Sequence, residues 1–253
     1  MNTKPKRWIL VRGLVRSRKH WNSFPENLES VLGAKVDCVE LPGNGFLSSE
    51  ITPARIGDAI QSLRGQCKGE SPFGLLGISL GGMLSVKWAQ LFPNEVSHLI
   101  LINTSSSLSP FYHRLRPKNY AGIVKILLAG NPSAIEEFIL SVSSNDEKKW
   151  RPLLEANTRF QTEHPIRNGN FLRQLQLTAQ VDFLEQPTCK KLILASENDQ
   201  LVSPACSKLI AQEWQVPIKL HPTAGHDLPL DDENWVIDQI RTFIMDSTVA
   251  TGE

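Results

Sequence analysis

Short apolar runs alternate with longer amphipathic ones along the first hundred residues, and this alternation restricts the chain to few architectures. Strands separated by helices pair in parallel, and a parallel sheet needs both faces covered. Strand-like runs fall at residues 7–13, 35–41, 73–78 and 98–103. The first helical pattern has Ser17 as a plausible N-cap, an apolar stripe of Trp21, Phe24, Leu28, Val31 and Leu32, and Gly33 at its end. The second covers 53–67, with Thr52 read as its cap, Pro53 at the first helical position, and Ile56, Ile60 and Leu63 turned inward. After about residue 104 the strands stop. Helical patterns follow at 120–129, 132–143, 146–160 and 168–177. Alternation resumes with a strand at 190–195, a helix at 204–213, a strand at 217–221 and a last amphipathic helix at 233–245. The fold expected is α/β, a mostly parallel sheet of about six strands. Residues 1–103 and 187–253 form its core, and 104–186 are a helical insertion after the fourth strand. Such an insertion lies over the carboxyl ends of the strands, where ligands bind in these sheets, and so reads as a lid.

A chain of 253 residues can bury a large core as one domain with an insertion. The formal net charge of +1 gives no field that would recruit nucleic acid or a membrane surface. Charge is nevertheless uneven. Lys4, Lys6, Arg7, Arg12, Arg16, Arg18 and Lys19 crowd the start without an acid, and Asp227, Asp231, Asp232, Glu233, Asp238 and Asp246 crowd the end. The two sets are expected to complement each other across a surface. Cys38, Cys67, Cys189 and Cys206 form no C-x-x-C pair, and their spacing suggests neither zinc nor a disulfide framework. A reducing cytoplasm fits. The apolar run of Trp8 to Val11 is broken by Arg12 and is too short for a signal peptide, and no stretch reaches the length of a membrane span.

The third strand runs into Gly77-Ile78-Ser79-Leu80-Gly81, and a helical pattern leaves it. A strand that turns sharply into a helix strains the backbone of the residue between them. It also needs small neighbours two positions away on each side, which gives Gly77 and Gly81 a steric role. The Ser79 hydroxyl is then pushed out of the sheet. The pentapeptide recurs by chance, and a serine capping a helix beside glycines is the plain alternative.

Chemistry decides between these readings, because a neutral serine needs a base and a group to orient that base. Of the six histidines, His20, His98, His113, His164 and His221 lie in helices, at strand ends or in the insertion. His226 lies in a loop crossing the carboxyl edge of the sheet, where Gly225 frees the backbone. It is the expected base. Asp199 follows the fifth strand and is the expected orienting acid, ahead of Glu197 and Asp182; the plain alternative is a turn or cap residue before Pro204. Two backbone amides should face the developing oxyanion. Leu80, just after the serine, offers one, and Leu14, in the loop after the first strand, is the choice for the other.

These segments resemble the α/β-hydrolase-fold serine hydrolases. The matching stretches are Arg12-Gly13-Leu14, Leu41-Pro42-Gly43-Asn44-Gly45, Gly77 to Gly82, Asp199-Gln200-Leu201-Val202 and Gly225-His226, spread over nearly the whole chain outside the insertion. The resemblance is closest to compact bacterial carboxylesterases with a helical lid, a group that includes the pimeloyl-carrier-protein methyl ester esterase. It implies a carboxylesterase-type enzyme that cleaves a small or medium acyl ester through Ser79, His226 and Asp199, with no metal or organic cofactor. The family usually has His-Gly in the oxyanion loop, and here Arg12 stands for the histidine. Arg12 is therefore read either as a contact for a negatively charged substrate or as a solvated loop charge. Phe111, Tyr112, Ile123, Leu127, Phe138 and Phe171 are the candidate acyl contacts, against plain packing between helices. Alternatives on the same fold are a thioesterase or acyltransferase, with an acyl carrier protein as partner to the basic residues of the insertion, and a ligand sensor of low turnover.

Overall fold

The computed structural model describes residues 4–67, 69, 71–181, 183 and 185–249, with their side chains except those of residues 126, 127, 129 and 247–249. Six strands form one sheet: β1 (Arg7–Val11), β2 (Lys35–Val39), β3 (Phe73–Ile78), β4 (Val96–Ile102), β5 (Lys190–Ser196) and β6 (Ile218–His221). Their order is β2-β1-β3-β4-β5-β6, and every neighbouring pair is parallel. The helices are α1 (Phe24–Leu32), α2 (Ile56–Gly65), α3 (Leu80–Leu91), α4 (Phe111–Arg114), α5 (Tyr120–Ala129), α6 (Pro132–Ser143), α7 (Glu147–Trp150), α8 (Leu154–Glu163), α9 (Asn168–Thr178), α10 (Pro204–Trp214) and α11 (Leu228–Val249). From α4 to α9 they all fall between β4 and β5 in the chain. No described helix is long and apolar enough to cross a membrane.

The two-residue period of a strand sorts its side chains onto two faces. Trp8 and Leu10 turn to one side and pack with Phe24 and Leu28 of α1 and Val236 and Ile240 of α11. Ile9 and Val11 turn to the other and pack with Leu63 of α2, Met83 and Trp88 of α3 and Ile210 of α10. Each fully buried aliphatic side chain contributes roughly 1.5–3 kcal/mol. The chain winds outward from β1 to β2 and then returns to β3 on the other side of β1. That reversal opens a crevice at the carboxyl ends of β1 and β3, and the loop after β1 faces the turn after β3 there.

Local expectations and structure part at four points. Ser17 does cap, its Oγ accepting from Lys19 N at 3.1 Å, but only a single 3-10 turn (Arg18–Trp21) follows. The chain breaks at Asn22 (φ 51°), α1 starts afresh at Phe24, and Val31 is half exposed, outside the apolar stripe. Thr52 caps no helix. It is buried, its hydroxyl donating to Pro42 O at 2.7 Å and its N–H to Asn170 Oδ1 at 3.0 Å, while Gln180 Oε1 accepts from the first amide of α2. The pattern over 146–160 breaks at Pro152, which sits in a 3-10 turn (Arg151–Leu153) between α7 and α8. The last helix starts at Leu228, five residues early, and kinks at Asp232.

Candidate active site

Ser79 joins β3 to α3 with φ 55° and ψ −120°, a left-handed conformation that costs a non-glycine residue about 1–3 kcal/mol. Two close approaches over-determine it. A Cβ at Gly77 would lie 2.4 Å from Gly81 O, and one at Gly81 would lie 2.1 Å from Val11 O. The expected steric roles of both glycines are thus visible as backbone contacts. The Ser79 N–H donates to Ile102 O at 2.9 Å, which pins the turn to β4.

His226 and Asp199 meet across loops that follow β6 and β5. Nδ1 lies 2.7 Å from Asp199 Oδ2, and both side chains are buried. Facing a carboxylate oxygen, Nδ1 is assigned as the donor of this hydrogen bond. The other oxygen, Oδ1, accepts from the amides of Leu201 and Val202 at 2.7 and 2.9 Å, which holds the carboxylate in place. Glu197 points to the surface and pairs with Lys208 at 3.0 Å; Asp182 lies outside the described residues. His226 and Ser79 line one cavity of about 240 Å³ without a direct hydrogen bond between them.

The amides of Leu14 and Leu80 donate to no acceptor among the described residues. Leu80 opens α3, where the first amides have no intrahelical partner. The loop holding Leu14 crowds the elbow, for a Cβ at Gly13 would lie 3.3 Å from Ser79 Cβ. This loop is braced from afar. Val15 N, at φ 53°, donates to Gln174 Oε1 at 2.9 Å. Gln174 Nε2 donates to Asn44 Oδ1 at 2.6 Å, and Asn44 Nδ2 donates to Arg16 O at 3.1 Å.

Arg12 is not a solvated loop charge: it lines the cavity beside Ser79 and His226, with its guanidinium already paired. It is buried over the Trp21 ring at 4.7 Å, and its Nη1 and Nη2 donate to Asp227 Oδ1 and Oδ2 at 3.1 and 2.6 Å. The basic start and acidic end of the chain do complement each other here, but inside the molecule and beside His226. Burial alone would raise the Asp227 carboxyl; Arg12, with Arg16 and His226 behind it, outweighs burial and holds it below the usual carboxylate range.

Ile123, Phe138 and Phe171 line the cavity. Phe111 and Tyr112 do not. They are 72% and 47% exposed on α4, whose end is tied to the loop after β5 by Ser203 N donating to His113 O at 2.8 Å. The Leu127 side chain lies outside the described residues. Gly225 serves close approach rather than backbone freedom, since a Cβ there would lie 2.7 Å from Ser143 O. Asn103 and Asp231 are among the residues of the site that escaped sequence reasoning. Asn103 Nδ2 donates to His226 O at 2.9 Å while its Oδ1 accepts from Ser196 N at 2.8 Å. Asp231 Oδ2 accepts from Gly225 N at 2.5 Å and from Asn145 N at 3.0 Å, tying the histidine loop to the insertion. Among the described residues no group of three or more His, Cys, Asp or Glu is arranged to hold a metal ion.

A profile of the alpha/beta hydrolase family matches residues 8–239, nearly the whole chain. The chain belongs to the alpha/beta hydrolase family. Among curated proteins this hydrolase is 24% identical to a biotin biosynthesis bifunctional protein of Teredinibacter turnerae over 163 residues, 58% of this chain and 28% of that protein. It is 26% identical to a monoacylglycerol lipase of Homo sapiens over 184 residues, 67% of this chain and 52% of that protein. The hydrolase thus spans about a quarter to a half of the length of these relatives. Among solved structures, a thermophilic esterase from Thermogutta terrifontis superposes with a TM-score of 0.72 at 21% identity, over 95% of this chain and 90% of that one, a likeness of fold.

Proposed function

We propose that this hydrolase is a serine carboxylic-ester hydrolase acting on a small or medium acyl ester, with Ser79 as nucleophile, His226 as base and Asp199 as the group that orients the base. The 2.7 Å contact of His226 Nδ1 with Asp199, together with the cavity that His226 and the strained Ser79 both line, carries this reading. Ser79 Oγ attacks the acyl carbon as its proton passes to His226 Nε2, and the carbonyl π pair moves onto oxygen. That oxygen accepts from the amides of Leu14 and Leu80, each worth roughly 3–4 kcal/mol to the transition state. Collapse expels the alkoxide, which takes the proton from Nε2 and leaves an acyl-enzyme. Water then repeats the sequence and frees the acid. Catalytic hydrogen bonds are often open in the empty enzyme, and the Ser79 hydroxyl has no competing described partner.

The helices of 104–186 act as the lid, with Ile123, Phe138 and Phe171 against the acyl chain. A thioesterase or acyltransferase served by an acyl carrier protein is less favoured, because Arg151 of the basic set is already engaged by Glu147 and Glu137 and Arg114 donates to Thr178 O. Four unpaired cysteines fit a reducing cytoplasm. Rates on p-nitrophenyl esters and matched acyl-thioesters test the assignment. The expected result is faster turnover of the esters, abolished in Ser79→Ala. Undiminished turnover in Ser79→Ala would overturn it, and a preference for thioesters would move the substrate class.

A further inference from the structure

Resting on that reading, we propose that Arg16 and Gln161 form a polar subsite within the largely apolar acyl cavity, and that it selects acyl groups bearing a neutral oxygen acceptor, such as a ketone, a hydroxyl or a second ester carbonyl. Arg16 follows the loop that holds Leu14, lines the cavity and is only 7% exposed. Its partner is Glu136 of α6, itself fully buried. A single nitrogen makes that contact: Nη1 spans Oε1 and Oε2 at 3.1 and 2.8 Å. The other two nitrogens, Nε and Nη2, donate to no described group, and unlike Nε of Arg12 neither is sealed off. They form one edge of the guanidinium, a two-donor fork left open. Gln161 of α8 lines the same cavity at 5% exposure, and its amide likewise meets no described partner.

Buried polar groups without partners cost free energy unless a ligand satisfies them. A plain hydrocarbon chain would strand both groups, whereas an acyl group with its own oxygen would accept from the fork. Charge decides which oxygen. Glu136 already balances Arg16, and Asp227 already balances Arg12. The cavity therefore offers donors without a net positive charge, and a free carboxylate would bring an uncompensated charge into apolar surroundings. A neutral acceptor satisfies the donors without that penalty.

The test compares p-nitrophenyl hexanoate with its 3-oxo, 4-oxo and 5-oxo analogues and with the p-nitrophenyl half-ester of adipate, each kcat/KM normalised to the hydroxide rate of the same ester. The expected result is a preference of about tenfold or more for one oxo-ester over hexanoate, the worth of one charge-assisted hydrogen bond. The preference should fall toward unity in Arg16→Met combined with Glu136→Gln, which avoids a stranded buried carboxylate, and should diminish in Gln161→Leu. The ratio cancels any general loss of activity, and the wild-type comparison needs no variant to fold. Hexanoate turned over as well as every oxo-ester would overturn the subsite while leaving the esterase reading intact. So would a preference that survives the Arg16/Glu136 change, and a best rate on the half-ester would overturn the choice of a neutral group. If no ester were turned over and Ser79 resisted acylating probes, the esterase reading would fail and this inference with it.

Discussion

At the scale of single residues, the arrangement turns on which atom of each side chain is left available. Asp199 accepts from two amides on one oxygen and meets His226 Nδ1 with the other, which on the proposed mechanism holds the ring in the tautomer whose Nε2 is the base. Asp199→Asn would present an amide donor where Nδ1–H now donates, favouring the wrong tautomer. The expected loss is about 10⁴-fold in kcat with little change in KM, measured on a p-nitrophenyl ester. His226 and Asp199 were legible in the sequence because each stands in a loop just after a strand, and a parallel sheet gathers those loops at one edge. Asn103 and Asp231 were not. Asn103 reaches His226 across 123 residues of chain, and nothing local marks an asparagine at a strand end as a brace. The pairing of Arg12 with Asp227, 215 residues apart, was foreseen only as a complement between the two charged ends, and its place inside the molecule was hidden. Both side chains are charged, and charge alone suggests exposure.

At the scale of elements, the close contact of α3 with β1 sets the geometry of the elbow. Gly81 meets the carbonyl of Val11, a backbone atom that cannot swing aside. Gly81→Ala is expected to lower stability by about 1–3 kcal/mol and to reduce activity by displacing Leu80, read by thermal denaturation alongside ester turnover. Unchanged values in both would show the helix free to shift. The central strands were readable as continuous apolar runs because both faces are covered; β3 is buried throughout. Helix starts were less readable. The signal around Thr52 and Pro53 is a sound local cap pattern, but the partner that wins is Asn170, 118 residues away in the insertion. A run of helix-favouring residues across 146–160 masked the break that Pro152 imposes.

At the scale of the whole molecule, buried histidines shape the response of stability to pH. His98, at the start of β4, is buried between Trp8 and Phe243. Burial, with Lys190 adding to it, pushes its pKa down to about 4 from an ordinary 6.5. The unfolded chain therefore binds a proton between these values that the folded chain refuses. Stability from this residue is complete above about pH 6.5 and is lost as the pH falls toward 4, by about 3 kcal/mol. Buried His20, lowered by burial and by Arg16, Arg12 and Lys19, adds a contribution of the same sign. Denaturant melts of the wild type and His98→Phe across pH 4 to 7 check this, with a flatter profile expected in the variant. Parallel profiles would remove His98 from the account.

The proposed cooperation of Ser79, His226 and Asp199 is tested most directly by a fluorophosphonate probe followed by peptide mapping. One adduct per chain on the peptide containing Ser79, absent in Ser79→Ala and greatly slowed in His226→Gln, is the result expected. An adduct on another residue, or labelling of Ser79 at an undiminished rate without His226, would contradict it.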